Sequence, residues 1–259
     1  MEVVVLIILG FASSMYGSLI GAGGGFLFVP VLLMFYNISP ENAAGTGLAI
    51  VFLNAAAGLP LFLKKRRVSL RTGSFVGIGA FPGTFAGAWL VSMSSDALFN
   101  ILFACLLTGL GTFLIVMDRN KSHTETGAAV EVERPSAALP INTATLAAVG
   151  CLLGIISSYF GVGGGWLLVP FLVYCFGFHI KDAAATSIFS LSLYSLAGLL
   201  PAVLYGNVEW QIVLWSSIGV LTGAQAGVLL AAKIKGAVII RLLAIIVILM
   251  GIQFVFQNI

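Results

Sequence analysis

The segment Gly21-Ala-Gly-Gly-Gly-Phe-Leu-Phe-Val-Pro30 returns 140 residues later as Gly161-Val-Gly-Gly-Gly-Trp-Leu-Leu-Val-Pro170, with seven of ten positions identical. Successive glycines break a helix, because glycine has no Cβ and loses the most backbone freedom on ordering. Each copy lies inside a long apolar stretch, 3–36 and 141–177. The chain must therefore interrupt an apolar helix twice, at matched places. The similarity runs on without a gap. Glu41-Asn-Ala-Ala-Gly-Thr-Gly-Leu48 matches Lys181-Asp-Ala-Ala-Ala-Thr-Ser-Ile188, and Gly79, Gly83, Ala86 and Gly87 match Gly219, Gly223, Ala226 and Gly227. Two copies of one helical unit make up the molecule.

The solvent for this unit is lipid. Only 8% of residues are charged and 60% are hydrophobic, with a mean hydropathy of +1.12, whereas a soluble domain carries about 25% charged residues. Further apolar segments span 42–63, 72–91, 97–117, 183–204, 210–231 and 237–256. None shows the two-residue alternation of a membrane β-barrel. The chain reads as an all-α polytopic membrane protein. Residues 1–117 form the first repeat, 118–140 a hydrophilic cytoplasmic linker, and 141–259 the second repeat. No cleavable leader is expected, since the first apolar run is too long and has no basic residue before it.

Charge sets the expected orientation. A single span needs about 20 residues, so 3–36 and 141–177 can each hold a hairpin. Five segments per half is odd, and the second half is then upside down. All twelve Lys and Arg residues then fall on the cytoplasmic side, including Lys64-Lys-Arg-Arg67, Lys181, Lys233, Lys235 and Arg241, as the positive-inside rule requires. Both termini are expected outside. The basic run Lys64 to Arg67 is read as a topology anchor.

The hairpin tips are the candidate site. Glycines at 21, 23, 24 and 25, and at 161, 163, 164 and 165, allow close approach of a ligand to the backbone. The helix after each tip presents free N–H groups and its positive dipole end, which suits an anion. Glycine-broken apolar segments at corresponding positions of two halves point to a transporter's binding site. Thr46, Thr186, Ser187 and Asn54 are supplementary donors within apolar helices. Each could instead serve interhelical hydrogen bonding. The glycines at 73, 77, 79, 83 and 87, with 219, 223 and 227, are read as helix-packing surfaces.

No carboxylate or histidine sits within a span to relay protons; His179 and His123 fall in connecting segments. No nucleophile–base set, metal cluster or cofactor motif is present, and no Lys-Ser or Lys-Thr follows either glycine run, which excludes a nucleotide-phosphate loop. An enzyme is not expected. The net charge of +3 comes from loop anchors rather than a nucleic-acid surface. Cys105, Cys151 and Cys175 lack paired spacing and are expected to be buried apolar side chains.

The doubled Gly-x-Gly-Gly-Gly-x-x-x-x-Pro, followed in each half by the Ala-Ala-x-Thr of 43–46 and 183–186, resembles the TauE/SafE sulfite exporter family over nearly the whole chain. Gly21, Gly23, Gly24, Gly25 and Pro30 match the first motif, and Gly161, Gly163, Gly164, Gly165 and Pro170 the second. The resemblance implies a multi-pass plasma-membrane transporter, an exporter in some members, for sulfite or a small organosulfur anion. Alternating access between the halves is the expected mechanism, with a small-anion channel as the alternative.

Overall fold

The computed structural model of the protein describes residues 2–36, 38–122 and 143–231. Among the described residues there are nine helices and no strand: α1 (Glu2–Ile20), α2 (Gly25–Phe35), α3 (Pro40–Lys64), α4 (Leu70–Met93), α5 (Asp96–Ser122), α6 (Thr143–Phe160), α7 (Gly165–Phe176), α8 (Ile180–Leu204) and α9 (Trp210–Ala231). Six of them (α1, α3, α4, α6, α8 and α9) are long and apolar enough to cross a membrane. The expected tenth segment at 237–256, with Lys233, Lys235 and Arg241, lies outside the described residues. So does most of the expected linker, although α5 continues to Ser122.

The breaks fall where the glycines stand. α1 stops at Ile20 and α2 starts at Gly25; α6 stops at Phe160 and α7 starts at Gly165. Each pair is a long helix followed by a short one. With 11 and 12 residues, α2 and α7 reach only about 17–18 Å, against a hydrocarbon core of about 30 Å. Helix α3 is opened by Ser39, whose hydroxyl accepts from the Asn42 amide, and by Pro40 at the first helical turn, where the missing N–H is harmless.

The two halves clasp one another. α1 lies along α9 in the same direction: Gly219, Gly223 and Gly227 face Ile7, Phe11 and Met15 in turn. α4 lies along α6 in the same way, with Gly79, Gly83 and Gly87 facing Ala147, Cys151 and Ile155. The glycine rows thus pack helix backbones closely, as their spacing indicated. The central pair is α3 and α8, which run antiparallel. Gly45 near the start of α3 faces Ala202 near the end of α8, and Leu48 packs on Gly198. α3 and α8 begin at Pro40 and Ile180, 140 residues apart. Aromatic rings seal one flank, where Phe99 and Phe103 of α5 stack on Tyr159 and Phe160 of α6.

The cysteines are free. Contrary to their expected burial, Cys105 and Cys175 are exposed and Cys151 is only half-buried. The outward face of a membrane protein is as apolar as its interior, so a small apolar side chain has no preference between them.

Candidate functional site

Both glycine runs turn sharply. The carbonyl of Gly17 accepts from the amides of Gly21, Ala22 and Gly23 at 2.9, 2.7 and 3.3 Å, and that of Ser157 accepts from Gly161 at 2.9 Å. Gly21 and Gly161 have φ of 87° and 69°, in the left-handed region that only glycine enters freely. Each also presses on the other half. A Cβ on Gly21 would lie 2.7 Å from the Ala184 Cα, and one on Gly161 would strike the Ala44 backbone.

The tips meet. A Cβ on Gly25 would lie 2.7 Å from the Gly161 carbonyl oxygen, and one on Gly165 would strike the Gly21 carbonyl oxygen. All eight tip glycines are buried. The amides of Gly25 and Phe26, and of Gly165 and Trp166, open α2 and α7 and have no backbone acceptor among the described residues. Two positive helix ends therefore converge at the centre of the molecule, where water does not supply acceptors. Between the tips stand Val51 of α3 and Leu191 of α8, residues 140 apart. Positions for a Cβ on Gly23 and on Gly163 lie 3.0–3.2 Å from these two side chains. Apolar side chains thus occupy the gap between the candidate anion-binding tips. The polar inventory of α3 and α8 does not reveal them.

The supplementary donors divide into two groups. Ser187 is at the tips: its hydroxyl donates to the Gly21 carbonyl at 2.8 Å and lies 3.4 Å from that of Gly165. Asn54 is fully buried, its Oδ1 accepting from the Ser18 hydroxyl at 2.8 Å while its Nδ2 has no partner. Thr46 and Thr186 are elsewhere. Thr46 Oγ1 accepts from the Glu209 amide and Thr186 Oγ1 from the Ser69 amide, both at 3.0 Å. They tie opposite ends of the molecule across the two halves and do not reach the tips.

Further buried polar groups surround the tips: serines before each glycine run, which their sequence context did not mark, and Tyr194, a polar residue opposite Asn54 in the repeat. Ser14, within the last two turns of α1, and Ser157, on the last turn of α6, have hydroxyls without partners, as does Ser158. Tyr194, at the position matching Asn54, is wholly buried, and a Cβ on Gly164 would lie 2.9 Å from its hydroxyl. The signal available in the sequence is the serine content just before each glycine run, Ser13-Ser14 with Ser18 and Ser157-Ser158. Unpartnered buried donors around two helix N-termini are a place for hydrogen-bond acceptors.

Residues 6–254 match the Sulfite exporter TauE/SafE family. The chain belongs to this family. The chain is 28% identical to the probable membrane transporter protein YunE of Bacillus subtilis, covering all of this chain and 99% of that one. It is 27% identical to the probable membrane transporter protein MJ0441 of Methanocaldococcus jannaschii, over 89% of this chain and 86% of that one. With the probable membrane transporter protein YfcA of Escherichia coli K12 the figures are 28%, 94% and 84%. No solved structure matches it. The TauE/SafE chain described here is thus a multi-pass membrane transporter and not an enzyme.

Proposed function

We propose that this TauE/SafE protein exports sulfite or a small organosulfur anion across the plasma membrane, as a secondary transporter working by alternating access. The observation that carries the proposal is the meeting of two glycine tips, each opening a helix with free amides, amid buried donors with no partner. The anion's oxygens would bind the amides of Gly25, Phe26, Gly165 and Trp166, with Asn54 and Ser187 alongside. Residues 1–117 and 141–259 would be inverted repeats joined by the 118–140 linker. The antiparallel packing of the matched helices α3 and α8 supports inversion.

Charge supports the direction. The end of the molecule where α1, α3, α5 and α9 begin carries Glu2, Glu41, Asp96 and Glu209, and among the described residues no basic side chain. The opposite end carries Lys64, Lys65, Arg66, Arg67, Arg71 and Lys181, against one acid among the described residues, Asp182, which lies 3.8 Å from Arg67. A basic cytoplasmic face would gather the anion and an acidic outer face would release it. Val51 and Leu191, filling the gap between the tips, favour a carrier over the alternative, a small-anion channel, which needs a continuous pore.

Replacing Gly23 or Gly163 with Val puts a branched side chain against Val51 and Leu191. Sulfite flux into proteoliposomes is expected to fall at least about tenfold, a barrier change of about 1.4 kcal/mol. Unchanged flux from correctly folded variants would rule out a tip-centred site. Saturable counterflow of unlabelled against labelled anion is expected of a carrier and absent from a channel.

A further inference from the structure

The two halves differ at one place that bears on the path of the ligand. A recess opens at the acidic end between α3, α4, α6 and α8. Half-buried Glu41 and Asn207 stand at its mouth, Ala88 and Ala202 line it, and buried Ser158 lines it beside Gly198. As it stands the recess has room for about one water molecule. The matching place at the basic end carries larger side chains at two positions. Where the recess has Ala88 and Ala202, residues 140 away supply Val228 and Phe62, both buried. Lys65, which matches Tyr205 at the mouth, closes over them by donating from Nζ to the Val228 carbonyl at 3.2 Å.

Ser158 is the buried polar side chain of this recess, 2% exposed and with no partner for its hydroxyl. Its counterpart Ser18 spends its proton on Asn54 Oδ1. Tyr194 occupies the matching place in the second half, and its hydroxyl lies by Gly164 instead, so Ser158 is left to face the recess. Gly198 follows Tyr194 by one helical turn on the same face of α8, and a Cβ there would lie 3.4 Å from the Ser158 hydroxyl. The recess thus points from the acidic end toward the second tip.

We propose that this recess is the exit vestibule for a small oxyanion. Ser158 is its hydrogen-bond donor, the last before release, and Glu41 is the charge that expels the anion at the mouth. The proposal rests on the tip-centred reading above. Export through it needs α3 and α8 to part, since the resting width admits no anion. Glu41 is held toward the mouth by Asn207, whose Nδ2 donates to Oε2 at 3.4 Å. The nearby Glu209 is itself engaged by Asn42 Nδ2 at 2.7 Å and adds a second negative charge.

The test is thiol accessibility of Ser158→Cys in purified protein in nanodiscs, with Cys105, Cys151 and Cys175 replaced. The probes are a cationic and an anionic methanethiosulfonate. Both are expected to modify the thiol faster than Ser18→Cys, which is enclosed. Ala202→Phe, copying Phe62, is expected to slow modification at least about tenfold by closing the route. Ala88→Val, copying Val228, gives the same direction where the larger change disturbs folding. Methanesulfonate, inert toward the reagents, is expected to protect the thiol. Glu41→Gln is expected to raise the anionic-to-cationic rate ratio by about threefold or more, as removal of one partly screened charge does. Modification no faster than at Ser18→Cys, or rates indifferent to both Ala variants, would overturn the route. Absence of methanesulfonate protection would overturn the ligand, and an unchanged charge ratio the role of Glu41. Labelling requires no transport, so a failed Gly163→Val flux test would sink the tip site and leave this result separately readable.

Discussion

Ser18 and Asn54 show how one buried contact divides two otherwise matched half-sites. Asn54 is identifiable in the sequence as an amide that is expensive to bury. Its partner is not, because Ser18 lies 36 residues away and only the packing of α1 on α3 joins them. Asn54→Ala strands the Ser18 hydroxyl, and a loss of about 1–3 kcal/mol of stability is expected in detergent-solubilised protein. The Ser18→Ala, Asn54→Ala double variant is expected to recover part of that stability and none of the lost transport, if the free Nδ2 serves the anion. Flux and thermal unfolding measured together separate the two effects. Arg66 offers a simpler case. It has φ of 51° in the turn after α3, where the second half has Gly206 at 76°. Both close the same cap, with the following amide, Arg67 or Asn207, returning to the carbonyl of Phe62 or Ala202. Arg66→Gly removes left-handed strain from a side-chain-bearing residue, and a gain of about 1 kcal/mol is expected, read as a raised melting temperature.

The helices themselves were largely legible. The apolar segments 42–63, 72–91, 183–204 and 210–231 became Pro40–Lys64, Leu70–Met93, Ile180–Leu204 and Trp210–Ala231, because twenty apolar residues in lipid can satisfy their backbone only as helix. The glycine breaks were legible for the same reason in reverse. Partnership was not. Spacing identifies Gly83 and Gly223 as small faces, yet it cannot say that α4 takes α6 and α1 takes α9. The Val51 and Leu191 plug was hidden too, since two aliphatic residues among many carry no signal. Thr46 and Thr186 stood out as polar, and their tie to the Glu209 and Ser69 amides emerges only once the halves interlock. Gly83→Ala would drive its methyl into the Cys151 carbonyl and Gly223→Ala into that of Phe11. Each is expected to destabilise by about 1–3 kcal/mol through overpacking. Gly109→Ala meets nothing within 4 Å and is expected to be neutral or to stabilise by up to about 1 kcal/mol, which the same melting assay checks.

Among the described residues the molecule is electrically polar along the direction of its helices, acidic at one end and net basic at the other. That polarity was visible in the loops, and it follows from the same bias that orients membrane helices during insertion. The proposed inversion of the halves makes it testable. A cysteine at position 66 is expected to react with an impermeant reagent only from the cytoplasmic side, and one at the matched position 206 only from outside. Reaction of both from one side would contradict inverted repeats. The claim on which the transport mechanism turns is that the anion is held between the two glycine tips. The most direct measurement is anomalous diffraction from cysteine-free protein crystallised with selenite, a heavier relative of sulfite. A selenium peak is expected with its oxygens about 3 Å from the amides of Gly25 and Phe26 or of Gly165 and Trp166, beside Val51 and Leu191. A peak confined to the Lys64–Arg67 cluster, with none at the tips, would contradict it.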